Sequence, residues 1–125
     1  MMSRVPQVAF VDDDDAVREA LDGMLSAFGY DGIGFASAED FLACEDLTDF
    51  KCLILDIALG GMTGLQLISL LKELGYAIPV VVITASCEVG LRERCLAAGA
   101  LVVFAKPICV EDLRIVLDRI LGGEP

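Results

Sequence analysis

The chain has 125 residues, 56% of them apolar and 23% charged, with a formal net charge of −11. That length and apolar content give one domain with its own core and exclude a disordered chain. No apolar stretch approaches the roughly 20 residues that span a bilayer, and the acidic balance opposes nucleic-acid phosphates, so this domain is expected to bind neither a membrane nor DNA or RNA directly.

Met1–Pro6 carries one basic residue, Arg4, and runs into a charged segment. It lacks the build of a signal peptide, so cytoplasmic residence is expected. Gln7 to Val11 reads as a strand. Asp14 to Phe28 reads as a helix with Val17, Leu21, Met24, Leu25 and Phe28 on one face, stopped by Gly29. Tyr30 to Phe35 reads as a strand diluted by Gly32 and Gly34. Ser37 caps a short helix predicted to run through Cys44, and Glu45 to Phe50 is a loop. Lys51 to Asp56 is a continuous apolar strand, as expected for one buried on both faces.

Gly60-Gly61 marks a loop, and Thr63-Gly64-Leu65-Gln66 fits a capping box that opens a helix to about Leu74, ended by Gly75. Pro79 marks the next strand, to Thr84. Glu88 to Ala98 is predicted helical and stopped by Gly99, and Leu101 to Phe104 is the last strand. Lys106-Pro107 is a turn. Val110 to Leu121 is a helix burying Leu113, Val116, Leu117 and Ile120, closed by Gly122-Gly123. These are five βα units in a row. Right-handed crossovers place helices on both faces of one parallel sheet, a doubly wound α/β fold. The whole chain, 1–125, is read as one domain.

Five cysteines, Cys44, Cys52, Cys87, Cys95 and Cys109, are odd in number and form no CxxC pair, and there is no histidine. A Cys/His zinc site is excluded, and the thiols are read as reduced, small apolar fillers.

The chemistry sits where the strands end. The apolar runs terminate in Asp12-Asp13, in Asp56 and in Thr84, and Lys106 lies two residues past the last run. Ligands of such sheets bind outside the carboxyl ends of the strands. Each residue alone has an ordinary reading: loop acids, a strand threonine, a surface lysine. Their joint placement is what points to a site. Asp14 and Asp15 are read as solvated acids at a helix N-terminus. Two carboxylates 4 Å apart repel by ~1 kcal/mol in water and ~4 kcal/mol at an effective dielectric of 20. A cluster of three suits a hard cation such as Mg²⁺, which takes one or two carboxylates, keeps waters and accepts a phosphate oxygen. The Asp56 carboxylate suits nucleophilic attack on phosphorus.

At these residues the chain resembles the receiver domains of two-component response regulators, from about Val8 to Leu121. Val11-Asp12-Asp13 matches the family's acidic pair, Asp56 with Met62-Thr63-Gly64 the phosphoacceptor segment, and Thr84-Ala85 the hydroxyl and the small residue after it. Ala97-Ala98-Gly99-Ala100 and Lys106-Pro107 match the approach to the family's lysine. Ser37-Ala38-Glu39-Asp40-Phe41-Leu42 looks most like the FixJ-type branch, whose members often carry a helix-turn-helix output domain.

The resemblance implies a flavodoxin-like sheet in the order 2-1-3-4-5 with five helices. It implies that Asp56 accepts a phosphoryl group from the phosphohistidine of a sensor histidine kinase. It further implies that Asp12, Asp13, Asp56 and the backbone carbonyl of Ala58 hold Mg²⁺, that Lys106 pairs with the phosphoryl oxygens, and that Thr84 bonds them. The domain would be a signalling phosphoacceptor that hydrolyses its own phosphate slowly, rather than a conventional enzyme. In the family, phosphate draws the threonine inward, an aromatic side chain follows, and an output face changes its contacts; here that face would be Glu88 to Ala98, Leu101 to Phe104 and Val110 to Leu121. Its Arg92, Arg94, Arg114 and Arg119 beside Glu93, Glu111, Asp112 and Asp118 suit a phosphorylation-dependent homodimer and, equally, an ordinary solvated helix surface.

Two positions depart from the family pattern. Gly60 replaces the usual proline four residues after the phosphoacceptor, and Val103 replaces the usual aromatic three residues before the lysine. Phe104 falls on the opposite strand face by alternation. Two other readings compete. A partner-binding module without phosphotransfer would not need the complete five-residue set. A haloacid-dehalogenase-type phosphatase would use Asp12 in Asp12-x-Asp14, but its DxDGT continuation is missing and there is no room for a cap domain.

Overall fold

A computed structural model describes residues 5–122. Met1–Arg4, the start of the segment judged unlike a signal peptide, and Gly123 of the closing glycine pair lie outside the described residues. The chain alternates strand and helix in sequence. The elements are β1 (Gln7–Val11), α1 (Asp15–Phe28), β2 (Asp31–Phe35), α2 (Ala38–Leu42), β3 (Phe50–Asp56), α3 (Gly64–Glu73), β4 (Val80–Thr84), α4 (Leu91–Ala98), β5 (Val102–Ala105) and α5 (Val110–Ile120). All strand pairs are parallel, in the order β2-β1-β3-β4-β5.

The period-two alternation of the strands builds two cores. Val8, Phe10, Cys52, Ile54, Val81 and Ile83 point to one face, where Leu21 and Leu25 of α1 and Leu113 and Leu117 of α5 cover them. Ala9, Val11, Leu53, Leu55, Val80 and Val82 point to the other, under Phe41, Leu67, Ile68, Leu71, Leu91 and Cys95 of α2, α3 and α4. Val103 packs with the second group and Phe104 with the first, as alternation requires.

The glycines of β2 are a packing requirement. A Cβ at Gly34 would lie 2.6 Å from Phe10 Cε2, and one at Gly32 would lie 2.8 Å from Leu25 Cδ1. The Phe10 ring and α1 occupy the space that side chains on this strand would need.

Helix ends follow their caps. Asp14 precedes α1 as N-cap, its carboxylate accepting from the amides of Ala16 and Val17, and Gly29 ends the helix in the left-handed region at φ 93°. The Thr63–Gln66 capping box is present at α3. Three expectations need correcting. The second helix ends at Leu42, short of Cys44, and the segment after it holds a 3-10 turn at Leu47–Asp49 capped by Asp46. Helix α4 starts at Leu91, not Glu88, because Gly90 at φ 84° cannot continue a right-handed helix, and Ala85 to Gly90 form an exposed loop. The last strand is displaced by one residue, leaving Leu101 before it and exposed.

The cysteines also divide. Cys52 and Cys95 are buried fillers, and burial pushes both thiols up, Cys52 to about 12. Cys44 is half-buried. Cys87 and Cys109 are exposed in the loops after β4 and β5, and so are not fillers.

Candidate functional site

The register of the central strands brings their carboxyl ends level. Val11 pairs with Leu55, Asp56 with Ile83, and Thr84 with Ala105. Asp12 and Asp13 therefore leave β1 beside Asp56 at the end of β3, and the Lys106 amide donates to the Thr84 carbonyl at 2.8 Å. One carboxylate oxygen each from Asp12, Asp13 and Asp56 lies within 4.8 Å of the others.

Asp12 is fully buried and Asp56 nearly so. Both carboxylates are held from two sides. Asp12 Oδ1 accepts from the Asp14 amide at 2.9 Å and Oδ2 from Lys106 Nζ at 2.9 Å. Asp56 Oδ1 accepts from the Ala58 amide at 3.0 Å and Oδ2 from Lys106 Nζ at 3.2 Å. Burial alone would push the Lys106 ammonium down. Its hydrogen bonds to Asp12 and Asp56, with their charges, outweigh this and hold it above the ordinary lysine value. Asp13 is exposed, and no hydrogen bond or ion pair reaches its carboxylate among the described residues. The Thr84 hydroxyl is buried and accepts from the Ser86 amide at 3.0 Å, so it is turned to its own loop rather than to the acids.

The structure thus brings together Asp12, Asp13, Asp56 and Lys106, with Thr84 on the neighbouring strand end. For Ala58 it fixes the amide on Asp56. One residue outside the sequence-derived set joins them. Arg18, on the first turns of α1, donates from Nη1 to the Asp12 carbonyl at 2.6 Å and pairs with Asp15 through Nη2. A second cation thus stands behind the acidic cluster. Its spacing from Asp15, three residues along a helix, is the available sequence signal.

The donor chemistry fits Mg²⁺. Three carboxylates converge, one exposed and two in the wall, with no sulfur or nitrogen ligand among them. The arrangement does not fit a phosphatase built on Asp12-x-Asp14. The Asp14 carboxylate, which such a phosphatase would need free beside Asp12, is spent capping α1, accepting from the amides of Ala16 and Val17.

A five-stranded doubly wound sheet with an acidic cluster and a lysine at its carboxyl edge defines the class of domain. The chain belongs to the response-regulator receiver-domain family, whose model matches residues 8–118. It is similar to response regulator protein TodT of Pseudomonas putida, 35% identical over 113 residues, covering 90% of this chain and 50% of TodT. It is similar to response regulator protein TmoT of Ectopseudomonas mendocina, 37% identical over 106 residues, covering 85% of this chain and 48% of TmoT. The chain spans about half the length of the curated relatives it matches. Among solved structures it resembles FixJ-N, with a TM-score of 0.83, 28% identity and 98% of each chain covered.

Proposed function

We propose that residues 1–125 form a single phosphoacceptor receiver domain in which Asp56 takes a phosphoryl group from the phosphohistidine of a sensor histidine kinase. The observation that carries this is the pair of hydrogen bonds from Lys106 Nζ to Asp12 and Asp56, which sets a cation beside the carboxylate at the end of the central strand. In the transfer the N–P bond to imidazole breaks and an O–P bond to Asp56 forms, giving an acyl phosphate. Hydrolysis of that bond resets the domain.

Phosphoryl transfer needs mainly positioning and charge neutralisation. Asp12, Asp13 and Asp56, with the Ala58 carbonyl, would hold Mg²⁺, which when bound neutralises charge on the phosphoryl oxygens. Lys106 moves from Asp56 to a phosphoryl oxygen as negative charge is transferred there. The Thr84 hydroxyl leaves the Ser86 amide to donate to another. Asp12, with Arg18 on its carbonyl, stays fixed. The domain acts as a signalling switch rather than a conventional enzyme. We read it as cytoplasmic, with no helix among the described residues long and apolar enough to cross a membrane.

Incubation with acetyl phosphate and Mg²⁺ tests this by intact mass. One added phosphoryl group is expected, and none on Asp56→Asn. Unchanged labelling of that variant refutes Asp56 as the acceptor. A parent protein that never labels leaves the partner-binding reading standing instead.

A further inference from the structure

The loop between Asp56 and α3 carries two successive glycines where the family usually has a proline, yet it is tied down. At its start the Ala58 amide donates to Asp56 Oδ1 at 3.0 Å, and Leu59 is buried. At its end the Gly64 amide donates to the Ile57 carbonyl at 3.1 Å, and Thr63 belongs to the α3 capping box. Between these ties stand Gly60, Gly61 and Met62. The hydrogen bond that holds them comes from another element. The Met62 amide donates to Glu39 Oε2 at 2.9 Å, 23 residues away in sequence. Among the described residues no other hydrogen bond reaches these three.

Glu39 is carried on an anchored platform. Ser37 caps α2 by accepting from the Asp40 amide, and fully buried Phe41 packs against Phe35 and Phe50 with ring centroids 5.4 and 5.8 Å away. The approach also requires a glycine. Gly61 has φ 69°, and a Cβ there would lie 2.9 Å from Glu39 Oε2. The Met62 amide holds the Glu39 carboxyl below the ordinary glutamate value, as expected for a carboxylate that accepts a backbone N–H.

We propose that Glu39 is a positioning residue for the Gly60–Met62 loop, supplying from α2 the restraint that a proline at position 60 would supply from within the chain. The inference rests on the reading of Asp56 as phosphoacceptor and of the Ala58 carbonyl as a metal ligand. A Gly-Gly segment has wide backbone freedom. Without the strap, that freedom reaches back to Ala58, two residues from Gly60, and disperses the position of its carbonyl. Loss of Glu39 therefore weakens Mg²⁺ binding while leaving Asp12, Asp56 and Lys106 in place.

The test compares Glu39→Ala, Glu39→Gln and the double variant Glu39→Ala/Gly60→Pro. Gly60 is the position for the proline because its φ is not positive, a Cβ there meets nothing within 4 Å, and no hydrogen bond of its amide is lost. Three quantities are measured: Met62 amide hydrogen exchange in metal-free protein, Mg²⁺ affinity by NMR titration, and the melting curve. Glu39→Ala is expected to speed Met62 exchange and weaken Mg²⁺ binding by about three- to tenfold, at or below the lower end of what outer-shell partners contribute. Its melting curve should hardly move.

Glu39→Gln keeps an oxygen that accepts from Met62 and should stay close to the parent in both readouts. The added proline should restore Mg²⁺ affinity without restoring Met62 protection. Unchanged Met62 exchange in Glu39→Ala overturns the proposal, as does faster exchange with unchanged Mg²⁺ affinity. Failure of the unaltered protein to bind Mg²⁺ or label Asp56 overturns the phosphoacceptor reading instead, and Met62 exchange then still decides whether Glu39 holds the loop.

Discussion

Lys106 pairs with two carboxylates at once, and its loss leaves both Asp12 and Asp56 without an ion-pair partner in the wall of the site. Removing one partner of a buried pair typically costs 3–5 kcal/mol. The Lys106 side chain is 21% exposed, which puts the expected loss for Lys106→Met at about 3 kcal/mol. A urea titration in chelator measures it, and Mg²⁺ should return more stability to this variant than to the parent.

Asp13 behaves in the opposite sense. Its exposed carboxylate adds charge to the cluster without an ion-pair partner among the described residues. Asp13→Asn should therefore raise metal-free stability by up to about 1 kcal/mol, the repulsion of two carboxylates 4 Å apart in water, while weakening Mg²⁺ binding. For the unaltered protein, Mg²⁺ at 100 times its dissociation constant should add about 2.7 kcal/mol by linkage. A melting temperature indifferent to millimolar Mg²⁺ would remove the metal pocket from consideration. At this scale Asp12, Asp13, Asp56 and Lys106 were legible in the sequence because strand ends carried them. Arg18 and Glu39 were not, because their partners are the Asp12 carbonyl and the Met62 amide, backbone atoms that a pattern of residue types does not display.

Beyond the sheet's backbone ladders, few side-chain hydrogen bonds join one element to another among the described residues, and one can be tested through pH. Tyr30, between α1 and β2, donates its hydroxyl to Asp118 Oδ1 of α5 at 2.5 Å, and Asp118 also accepts from Arg114 at 3.0 Å. Burial, then the hydrogen bond to Asp118 and its charge, push the phenol up to about 12. The folded state thus favours the protonated phenol. Its contribution is complete below the unfolded value near 10 and is lost as pH rises from there through about 12. Tyr30→Phe should cost about 1 kcal/mol at neutral pH, and the gap between variant and parent in urea midpoint should close over that alkaline window. A gap that persists above it would show that the hydroxyl is not the source.

The same scale shows why some elements were easy to read and others were not. β3 and β4 are continuous apolar runs buried on both faces, and α3 has a complete capping box. β2 looked diluted because its glycines answer to Phe10 and Leu25 on other elements. The start of α4 was misplaced because Leu91 and Cys95 are its only two buried side chains, leaving a thin apolar stripe to mark where the helix begins.

At the scale of the whole molecule, the question is how phosphorylation would reach the surface made by α4, β5 and α5. Of the charged residues named on this face, Arg94, Arg114, Glu111 and Asp118 form ion pairs within the domain, whereas Arg119, Glu93 and Asp112 form none among the described residues. Arg94 pairs with Glu88 at 3.1 Å, Arg114 with Glu111 and Asp118, and Arg92 Nη1 donates to the Val103 carbonyl at 3.2 Å. Exposed ion pairs of this kind contribute about 0–1 kcal/mol each, and charges already paired in this way add little to a second copy. The same elements and the loops next to them expose Val89, Leu96, Leu101, Val110 and Ile115. Self-association through this surface is therefore expected to draw mainly on apolar contact, with a modest salt dependence from Arg119, Glu93 and Asp112.

On the proposed reading, Thr84 would turn from the Ser86 amide to a phosphoryl group with no ring at Val103 to follow it, so the movement would pass through the exposed Ala85–Gly90 loop and the start of α4. The Arg92 bond to β5 resists that movement. The expected coupling is small. Phosphorylation, or its mimic beryllofluoride with Mg²⁺, should strengthen self-association by less than about tenfold, or under about 1.4 kcal/mol. Arg92→Ala should loosen α4 and enlarge the response. Ile115→Ser should weaken the associated state with or without the mimic. Sedimentation equilibrium with and without beryllofluoride, at low and high salt, measures each of these. A change from clean monomer to tight dimer in the unaltered protein would show that Val103 does not limit the switch. A strong salt dependence would return the interface to its charged side chains.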